Sequence, residues 1–508
     1  MRRYKCLLGI LLSATLFNCK WGNPKKENEI QETTGKPNII WLMAEDISTD
    51  LECYGMPNVK TPNLNLMAKN GIRFTNAFVT NPICSPSRSA MMVGTHQLQT
   101  NTQHHRSNRD IPLNAKYKPF TALLREAGYT TILGHHGVMK NGRKIDVNFK
   151  HDPLGPWDGK TQFGLFDKYD TFETADQPFF AQIQLVATHR GDWWDAVRQQ
   201  SKHPVNPDTV TLPPYMADHP VVRLDWAKYL DQIEYIDAEV GMIFKELESK
   251  GMIDNTIVIF IGDNGRCNIR GKGYLFDPGL HIPLIMWYPS RFAGGSIRKE
   301  VISATDITAS IIDFAGVPVP QYMTGQPIFS KEFNRTFNFG ARDLWDEIEE
   351  KSRAITSKEW SYIRHDMPEV PFDAHQAYLE FYRPAVHAMR KLYAQGQLNS
   401  DEAYFFQPSK PNEELYNLIN DPNQLDNLAL KSEYSNVLDS LRQITKTYEN
   451  SLVPVSSEYE PIIVEGKKII AWLKVEMPQD YNRMLAGEEI GYGRVKSLYK
   501  AYKSKKNP

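Results

Sequence analysis

The sequence is poor in cysteine, in net charge and in long hydrophobic runs. Only five of its 508 residues are cysteines, and Cys6 and Cys19 lie close to the amino terminus. The remaining three, Cys53, Cys84 and Cys267, are too few and odd in number to predict a disulfide framework. We expect Cys53 and Cys267 to be unpaired residues in or near a core; a bridge between them is the alternative.

The small net charge and the composition exclude further classes of protein. The formal net charge is −1, so there is no overall electrostatic reason to expect a nucleic-acid partner. Hydrophobic residues make up 41% and charged residues 23% of the chain, which is the balance of a globular protein rather than of a disordered or multi-spanning one. Its length predicts a large domain and a smaller one.

The amino terminus indicates export. Residues 1–5 are basic and residues 6–17 are apolar, a run too short to span a membrane and remain there. We therefore assign residues 1–18 to an export signal and residues 19–36 to a polar tether. The residues around Cys19 resemble a bacterial lipoprotein signal, which predicts a lipidated Cys19 in a periplasmic or outer-membrane lipoprotein. A plain secretory signal is the alternative.

Two short apolar runs predict strands that are buried on both faces. Residues 37–44 are followed by Glu45 and Asp46, and residues 256–261 by Asp263 and Asn264. Acids at the carboxyl ends of strands lie where α/β folds place their ligand-binding and catalytic residues. Further strands are expected at 72–80, 129–134, 179–186 and 281–288, and helices at 61–68, 120–127, 227–250 and 307–315.

The clear alternation of strands and helices fades near residue 335. We predict an α/β domain over residues 37–335 and a smaller α+β domain over residues 336–508. The second part has aromatic-rich stretches at 360–364 and 403–406, and a helix at 435–449.

The run Cys84-Ser85-Pro86-Ser87-Arg88 has the form Cys-x-Pro-x-Arg and lies between a predicted strand and a predicted helix. It resembles the motif of the sulfatase family, in which a maturation enzyme converts the cysteine to formylglycine. A helix amino terminus there would offer backbone donors and a favourable dipole to an anionic group. Arg88 would add a fixed positive charge. The alternative is a buried cysteine in a turn.

The resemblance to sulfatases extends over roughly residues 37–430. It implies an alkaline-phosphatase-like fold, with a large mixed central sheet flanked by helices and a smaller C-terminal α+β domain. It also implies that Glu45, Asp46, Asp263 and Asn264 bind a metal ion, and hard oxygen ligands of this kind suit calcium. The family more often has aspartate where this chain has Glu45.

The same resemblance assigns catalytic roles to Lys272 and His189. Lys272 lies between two glycines, in a loop like the one whose lysine binds the sulfate and assists the leaving oxygen. A solvated surface lysine is the alternative. His189 follows a strand like the family strand that ends in a catalytic histidine, and we assign it the protonation of the leaving alcohol. His281 follows the lysine loop and is a predicted substrate contact.

The stretch Gly134-His135-His136-Gly137 departs from the family pattern Gly-Lys-x-His. We choose His136 as the base, with His135 as a substitute for the missing lysine and Lys140 as a further candidate. His104 and His105, in the loop after the formylglycine helix, are predicted substrate contacts.

The resemblance thus implies a calcium-dependent enzyme that uses formylglycine at Cys84 to hydrolyse sulfate esters on carbohydrates. The partners it implies are a sulfated carbohydrate, a maturation enzyme and, through Cys19, the membrane; no nucleic acid is expected. Rival functions are a phosphomonoester or phosphodiester hydrolase of the same superfamily and a non-catalytic glycan-binding lipoprotein. Trp193, Trp194 and Trp226 are candidates for stacking on sugar rings, with core packing as the alternative.

Overall fold

A computed structural model describes residues 35–134, 144–152, 164–459 and 465–506. The predicted export signal, Cys19, His135, His136 and Lys140 lie outside these described residues. Within them, no helix is both long and apolar enough to cross a membrane.

The main sheet is mixed and has seven strands. Its order is β3-β4-β1-β5-β6-β2-β7, and β6 alone among the seven runs against the others. All seven residues of β1, of β4 and of β5 are buried, as their continuous apolar sequences predict. The strands are β1 (Asn38–Ala44), β2 (Ile72–Phe78), β3 (Thr130–Gly134), β4 (Phe179–Leu185), β5 (Thr256–Gly262), β6 (His281–Trp287) and β7 (Ser296–Ser303).

Helices flank this sheet, and the longest one begins earlier than the sequence predicts. The helix α5 starts at Pro220 rather than near residue 227, with the His219 side chain accepting a bond from the Val221 amide. Proline suits the first helical position because its missing amide hydrogen has no partner there. The helices are α1 (Pro62–Asn70), α2 (Cys84–Val93), α3 (Phe120–Glu126), α4 (Trp194–Gln200), α5 (Pro220–Ser249), α6 (Asp277–Leu280) and α7 (Ala304–Phe314).

The structure decides two questions that the sequence left open, the role of the tryptophans and the pairing of Cys53 with Cys267. Trp194 and Trp226 are both 0% exposed, so they pack in the core and offer no surface to a sugar, whereas Trp193 is partly exposed. Cys53 and Cys267 are both free thiols, Cys267 buried and Cys53 packed against the core.

A second, antiparallel sheet of order β11-β10-β9-β8 follows in the chain. Its strands are β8 (Asn338–Trp345), β9 (Ile348–Thr356), β10 (Trp360–His365) and β11 (Glu413–Asn417), and the helices of this part are α8 (Ala377–Tyr382), α9 (Pro384–Ala394), α10 (Ser400–Ala403), α11 (Ser435–Ser451), α12 (Gly466–Glu476), α13 (Pro478–Leu485) and α14 (Tyr492–Lys506). We call residues 465–506 the C-terminal extension. It packs on α8 through a separate apolar cluster that includes Leu473 and Val495.

The predicted fold class is therefore confirmed: a large mixed sheet flanked by helices, with a smaller α+β part. Because only β6 is reversed, the carboxyl ends of β1, β2, β3, β4, β5 and β7 meet at one edge of the sheet.

Candidate active site

Acidic side chains of two neighbouring strands meet at that edge. Ala44 and Gly262, the last residues of β1 and β5, are paired in register. The Asp263 amide donates to the Ala44 carbonyl at 2.9 Å, and the Asp46 amide donates to Asp263 Oδ1 at 2.9 Å. The parallel pairing thus fixes the two acidic runs side by side, as the strand-end pattern predicts.

Asp46 is held by Lys272 and Asn264. Its φ of 48° is in the left-handed region, which few residues other than glycine adopt. Lys272 Nζ lies 2.7 Å and Asn264 Nδ2 3.0 Å from the same oxygen, Asp46 Oδ1. Burial disfavours the Asp46 carboxylate, but Lys272, His189 and Lys144 together outweigh it and keep the pKa of Asp46 below its usual range. Lys272 is 2% exposed, so it is a buried site residue and not a solvated surface lysine.

Cys84 is the first residue of α2 and is 1% exposed. Its Sγ lies 3.5 Å from Nε2 of His105, whose Nδ1 lies 2.7 Å from Oδ1 of Asp346. Burial disfavours the thiolate, yet Lys272, Lys144 and His105 together lower the pKa of Cys84 to about 5. The structure therefore places His105 against Cys84, whereas the sequence predicted a sugar contact.

Arg88 lies one turn along α2 and faces the acids. Its Nε and Nη2 are each 2.8 Å from Asp263 Oδ2, and Nη2 is 3.6 Å from Glu45 Oε1. All three side chains are at most 2% exposed. Removing one member of such a buried ionic group leaves uncompensated charge, so each member fixes the others.

Lys144 is a site residue that the sequence reading missed. Its Nζ lies 2.6 Å from Glu45 Oε2 and 3.5 Å from Asp146 Oδ2, and its carbonyl accepts from Arg88 Nη1 at 3.4 Å. The sequence did indicate that the lysine of the Gly-Lys-x-His pattern is missing here, but the lysine named as a candidate to replace it was Lys140. The longer side chain of Glu45, compared with aspartate, provides the contact with Lys144.

His189 follows β4 and reaches the same cluster. Its Nδ1 is 2.9 Å from the Arg190 carbonyl, so Nδ1 donates and Nε2, 3.9 Å from Glu45 Oε2, carries the free lone pair. Burial lowers the pKa of His189 well below its usual value, against the opposing effect of Asp46. An acid role for His189 therefore requires that its Nε2 first takes up a proton from water.

Three buried oxygens of the acidic cluster have no hydrogen-bond partner among the described residues: Glu45 Oε1, Asp46 Oδ2 and Asn264 Oδ1. An unsatisfied buried acceptor costs about 1–3 kcal/mol, and hard oxygens of this kind are what calcium prefers. The donor chemistry therefore fits a calcium ion. The described part of the chain holds no group of three His, Cys, Asp or Glu side chains already arranged around a metal position, and Arg88, Lys144 and Lys272 face the acids instead.

The other predicted contacts are not brought to Cys84. His281 is engaged at both ring nitrogens, with Nε2 2.9 Å from the Thr75 carbonyl and Nδ1 3.1 Å from Asp277. His104 stacks on Tyr459 with ring centroids 3.9 Å apart. His135, His136 and Lys140 fall outside the described residues, so their roles remain predictions.

A mixed sheet that collects buried acids, an arginine and a lysine around one nucleophile position defines a hydrolase of anionic esters, with an alkaline-phosphatase-like fold. The chain belongs to the sulfatase family: the family model described as Sulfatase matches residues 37–317. The protein is a sulfuric ester hydrolase.

Its curated relatives include an ulvan-active sulfatase of Formosa agariphila, 28% identical over 453 residues that cover 80% of this chain and 74% of the relative. The human N-acetylgalactosamine-6-sulfatase is 26% identical over 333 residues, covering 56% of this chain and 63% of the relative. The human N-sulphoglucosamine sulphohydrolase is 24% identical, with coverages of 80% and 88%.

Solved structures share the fold. A phosphonate monoester hydrolase of Agrobacterium radiobacter aligns with a TM-score of 0.60 at 15% identity, over 82% of this chain and 96% of that one. A structure in complex with its substrate D-glucosamine-2-N,6-O-disulfate aligns with a TM-score of 0.55 at 17% identity, over 82% and 98%. At these identities the likeness shows the fold alone.

Proposed function

We propose that the protein hydrolyses sulfate esters on carbohydrates, using a formylglycine made from Cys84 and a calcium ion. The observation that carries this proposal is the position of Cys84, at the start of α2 and within the fields of Lys272, Lys144 and His105. The names of the relatives support a glycan substrate, because they include an ulvan-active sulfatase and an N-acetylgalactosamine-6-sulfatase.

Three cations of this chain bind the sulfate in the proposed reaction. Arg88, Lys144 and Lys272 are fixed by their buried acidic partners before the substrate arrives. Such preorganised charge stabilises the negative charge that develops on the sulfate oxygens. Glu45, Asp46, Asp263 and Asn264 would hold calcium, which would supply further positive charge when bound. Formylglycine would supply a hydrated aldehyde as the nucleophile.

Two histidines move protons in this scheme. His105 donates from Nδ1 to Asp346, so its Nε2 is the acceptor that faces the side chain at position 84. We propose His105 for the base, beside the earlier candidate His136. His189 Nε2 is proposed to take up a proton from water and to give it to the leaving oxygen.

Export and maturation complete the proposal. The basic and apolar amino terminus supports export, and the residues around Cys19 support lipidation and a place in the periplasm or outer membrane. A formylglycine-generating enzyme would then be an essential partner. We also retain the division near residue 335 as the proposed domain boundary.

Phosphoester hydrolysis is the second candidate function, since the phosphonate monoester hydrolase shares the fold over 96% of its length. The test is co-expression with a formylglycine-generating enzyme, followed by mass spectrometry of the peptide containing Cys84. Sulfate release is then measured from ulvan and glycosaminoglycan oligosaccharides, with Cys84→Ala as control.

We expect an aldehyde at position 84 and sulfate release that Cys84→Ala abolishes. Faster hydrolysis of 4-nitrophenyl phosphate than of 4-nitrophenyl sulfate would favour the phosphoesterase. A thiol that stays unconverted would favour the non-catalytic lipoprotein.

A further inference from the structure

The imidazole of His189 is oriented by the backbone that follows it. After β4 ends at Leu185 the chain turns, and the His189 amide donates to the Val186 carbonyl at 3.0 Å. The ring nitrogen Nδ1 donates to the Arg190 carbonyl at 2.9 Å. Because a carbonyl can only accept, this bond fixes the tautomer and leaves Nε2, which lies 3.9 Å from Glu45 Oε2, as the nitrogen that can exchange a proton. The orientation of His189 therefore depends on where the Arg190 carbonyl lies.

The side chain of Arg190 is fixed on two sides. Its guanidinium forms a bidentate pair with the Asp225 carboxylate, from Nη1 to Oδ1 and from Nη2 to Oδ2, the latter at 2.7 Å. The same guanidinium lies over the ring of Trp194, 4.0 Å from the ring centroid. Arg190 and Asp225 are each 2% exposed and Trp194 is 0% exposed. A planar guanidinium that is buried, paired and stacked in this way has little freedom to move.

Trp194 also holds the backbone of His189 directly. Its Nε1 donates to the His189 carbonyl at 2.8 Å, and its amide donates to the Gly191 carbonyl at 3.2 Å. The neighbouring Trp193 donates from Nε1 to the Ala187 carbonyl at 3.1 Å. The start of α4 and the segment that carries His189 therefore form one hydrogen-bonded unit.

Asp225, on α5, connects this unit to other parts of the protein. Its Oδ2 accepts from Nδ2 of Asn268 at 3.3 Å, and Asn268 lies in the loop that follows β5 and carries the site lysine. Glu489 of the C-terminal extension also faces Arg190, 3.9 Å from Nη1, but lies closer to Lys228 Nζ, at 3.2 Å. The carboxylate that holds the Arg190 guanidinium in hydrogen-bonding contact is therefore that of Asp225.

We propose that Trp194 and Asp225 are positioning residues for proton transfer by His189. Asp225 holds the Arg190 side chain and Trp194 holds the His189 carbonyl, so that the Arg190 carbonyl stays in place to bind Nδ1. Both residues are buried and act through the backbone. In the transfer itself, Nε2 takes up a proton from water; as the bond between sulfur and the sugar oxygen breaks, that oxygen keeps the bonding electrons and takes the proton from Nε2. This inference rests on the proposed sulfatase function.

A displacement of Nε2 should slow the reaction selectively. Proton donation requires hydrogen-bonding geometry, and a misplacement of about 1 Å can cost about a hundredfold in rate. A sugar alkoxide is a poor leaving group that needs the proton, whereas 4-nitrophenolate is stable as an anion and leaves without one. Loss of positioning should therefore slow sulfate release from sugars much more than from 4-nitrophenyl sulfate. A fold that is merely loosened would slow both reactions equally.

The test compares kcat of matured, full-length variants on 4-nitrophenyl sulfate, phenyl sulfate and the ulvan or glycosaminoglycan oligosaccharides that the parent enzyme desulfates. Trp194→Phe keeps an aromatic ring beside Arg190 but removes the bond to the His189 carbonyl. We expect it to lower kcat about tenfold on the oligosaccharides and about twofold or less on 4-nitrophenyl sulfate, with phenyl sulfate between them. Binding of the oligosaccharides, measured by calorimetry in a Cys84→Ala background, should change little. Asp225→Asn should show the same pattern; if it does not fold, Trp194→Phe carries the test, because it changes no charge.

A double variant gives a second readout that uses the oligosaccharides alone. His189→Gln should lower kcat on them about a hundredfold. Adding Trp194→Phe to it should cost little more, because no imidazole is left to position. Losses that multiply in full overturn the proposal. So does a loss in Trp194→Phe that is equal on the oligosaccharides and on 4-nitrophenyl sulfate.

Matched controls lie on the same two helices. Trp226→Phe removes another fully buried indole of α5, whose Nε1 has no hydrogen-bond partner among the described residues. Asp231→Asn breaks the ion pair with Arg198, which also joins α5 to α4. Both variants should leave the ratio of the kcat values for the oligosaccharides and 4-nitrophenyl sulfate unchanged.

The substrates of the parent enzyme decide which readout applies. If it acts on oligosaccharides alone, the double variant decides; if it acts on aryl sulfates alone, the ratio of phenyl to 4-nitrophenyl sulfate turnover does. Absence of sulfate release from every substrate in the matured parent enzyme counts against the proposed function instead.

Discussion

The imidazole of His105 is hydrogen-bonded to Asp346 at 2.7 Å and presents its other nitrogen to the sulfur of Cys84 at 3.5 Å. The two partners of His105 come from opposite parts of the chain, Cys84 from α2 and Asp346 from the turn between β8 and β9. The second sheet therefore contributes directly to the environment of the nucleophile position.

This contact predicts an acidic thiol in protein that has not been converted. In the presence of EDTA, the ultraviolet absorbance of the thiolate, taken as the difference from Cys84→Ala, should titrate with a midpoint near pH 5. The thiolate is present above that pH and lost below it. His105→Gln should raise the midpoint by about one unit, because the thiolate loses the two contributions with which His105 lowers the pKa of Cys84. A wild-type midpoint near 9.0, the ordinary value, would contradict the described contacts.

Glu45 and Lys144 should act as a unit. Glu45→Asp withdraws the carboxylate from Lys144, now 2.6 Å away, and Lys144→Met removes the charge. We expect each change to lower kcat/KM for sulfate release about tenfold, and the double variant to lose little more than either single one. Fully additive losses would show that the two side chains act independently. Lys116→Met, an exposed lysine of the same domain, is the control.

The proposed calcium ion should stabilise the fold through the three oxygens that have no hydrogen bond among the described residues. Added Ca²⁺ should raise the Tm of the wild type, because a ligand that binds only the folded state stabilises it. Asn264→Ala and Asp46→Asn should weaken calcium binding in calorimetry by at least about tenfold. Asp254→Asn removes an exposed acid just before β5 and should have no effect. A Tm that does not respond to Ca²⁺ in the wild type would exclude a calcium site of this kind.

The buried side chain of Glu239 should make the free energy of unfolding depend on pH, for a reason unrelated to catalysis. It is 2% exposed on α5, and burial raises its pKa to about 8. The folded state therefore keeps a proton that the unfolded chain releases above about pH 4.3. Protonated Glu239 therefore contributes to the free energy of unfolding. This contribution is fully present at low pH and is lost as the pH rises through about 8.

Glu239→Gln keeps the neutral shape without titrating. Its free energy of unfolding, measured in urea, should fall less than that of the wild type between about pH 5 and pH 8. Glu248→Gln, exposed on the same helix, is the control. Equal pH dependence in Glu239→Gln and wild type would show that Glu239 is ionised in the fold.

The local sequence pattern was sufficient to predict the part of the site that the ends of β1 and β5 form. The apolar runs of β1 and β5 and the acids after them predict where Asp46 and Asp263 meet, because parallel strands end at one edge. The same patterns could not reveal Asp346, which lies 241 residues from His105, in the turn between β8 and β9. Contacts between distant segments leave no periodic signal in either segment.

The contacts of His281 likewise could not be predicted from the local sequence. It follows a loop that resembles the family's lysine loop, yet β6 runs against its neighbours and brings its first residue beside β2. The Thr75 carbonyl of β2 therefore takes the ring nitrogen that a substrate would need. Strand direction, which decides this contact, is not encoded in the hydrophobicity of β6.

The burial of Cys84 sets an order of events in the cell. With 1% of its surface exposed, this side chain is closed to any protein-sized catalyst once the sheet and α2 have come together. The proposed maturation enzyme would therefore have to meet the chain before it folds. A formylglycine at position 84 would thus be a chemical record of a step that folding makes impossible to repeat.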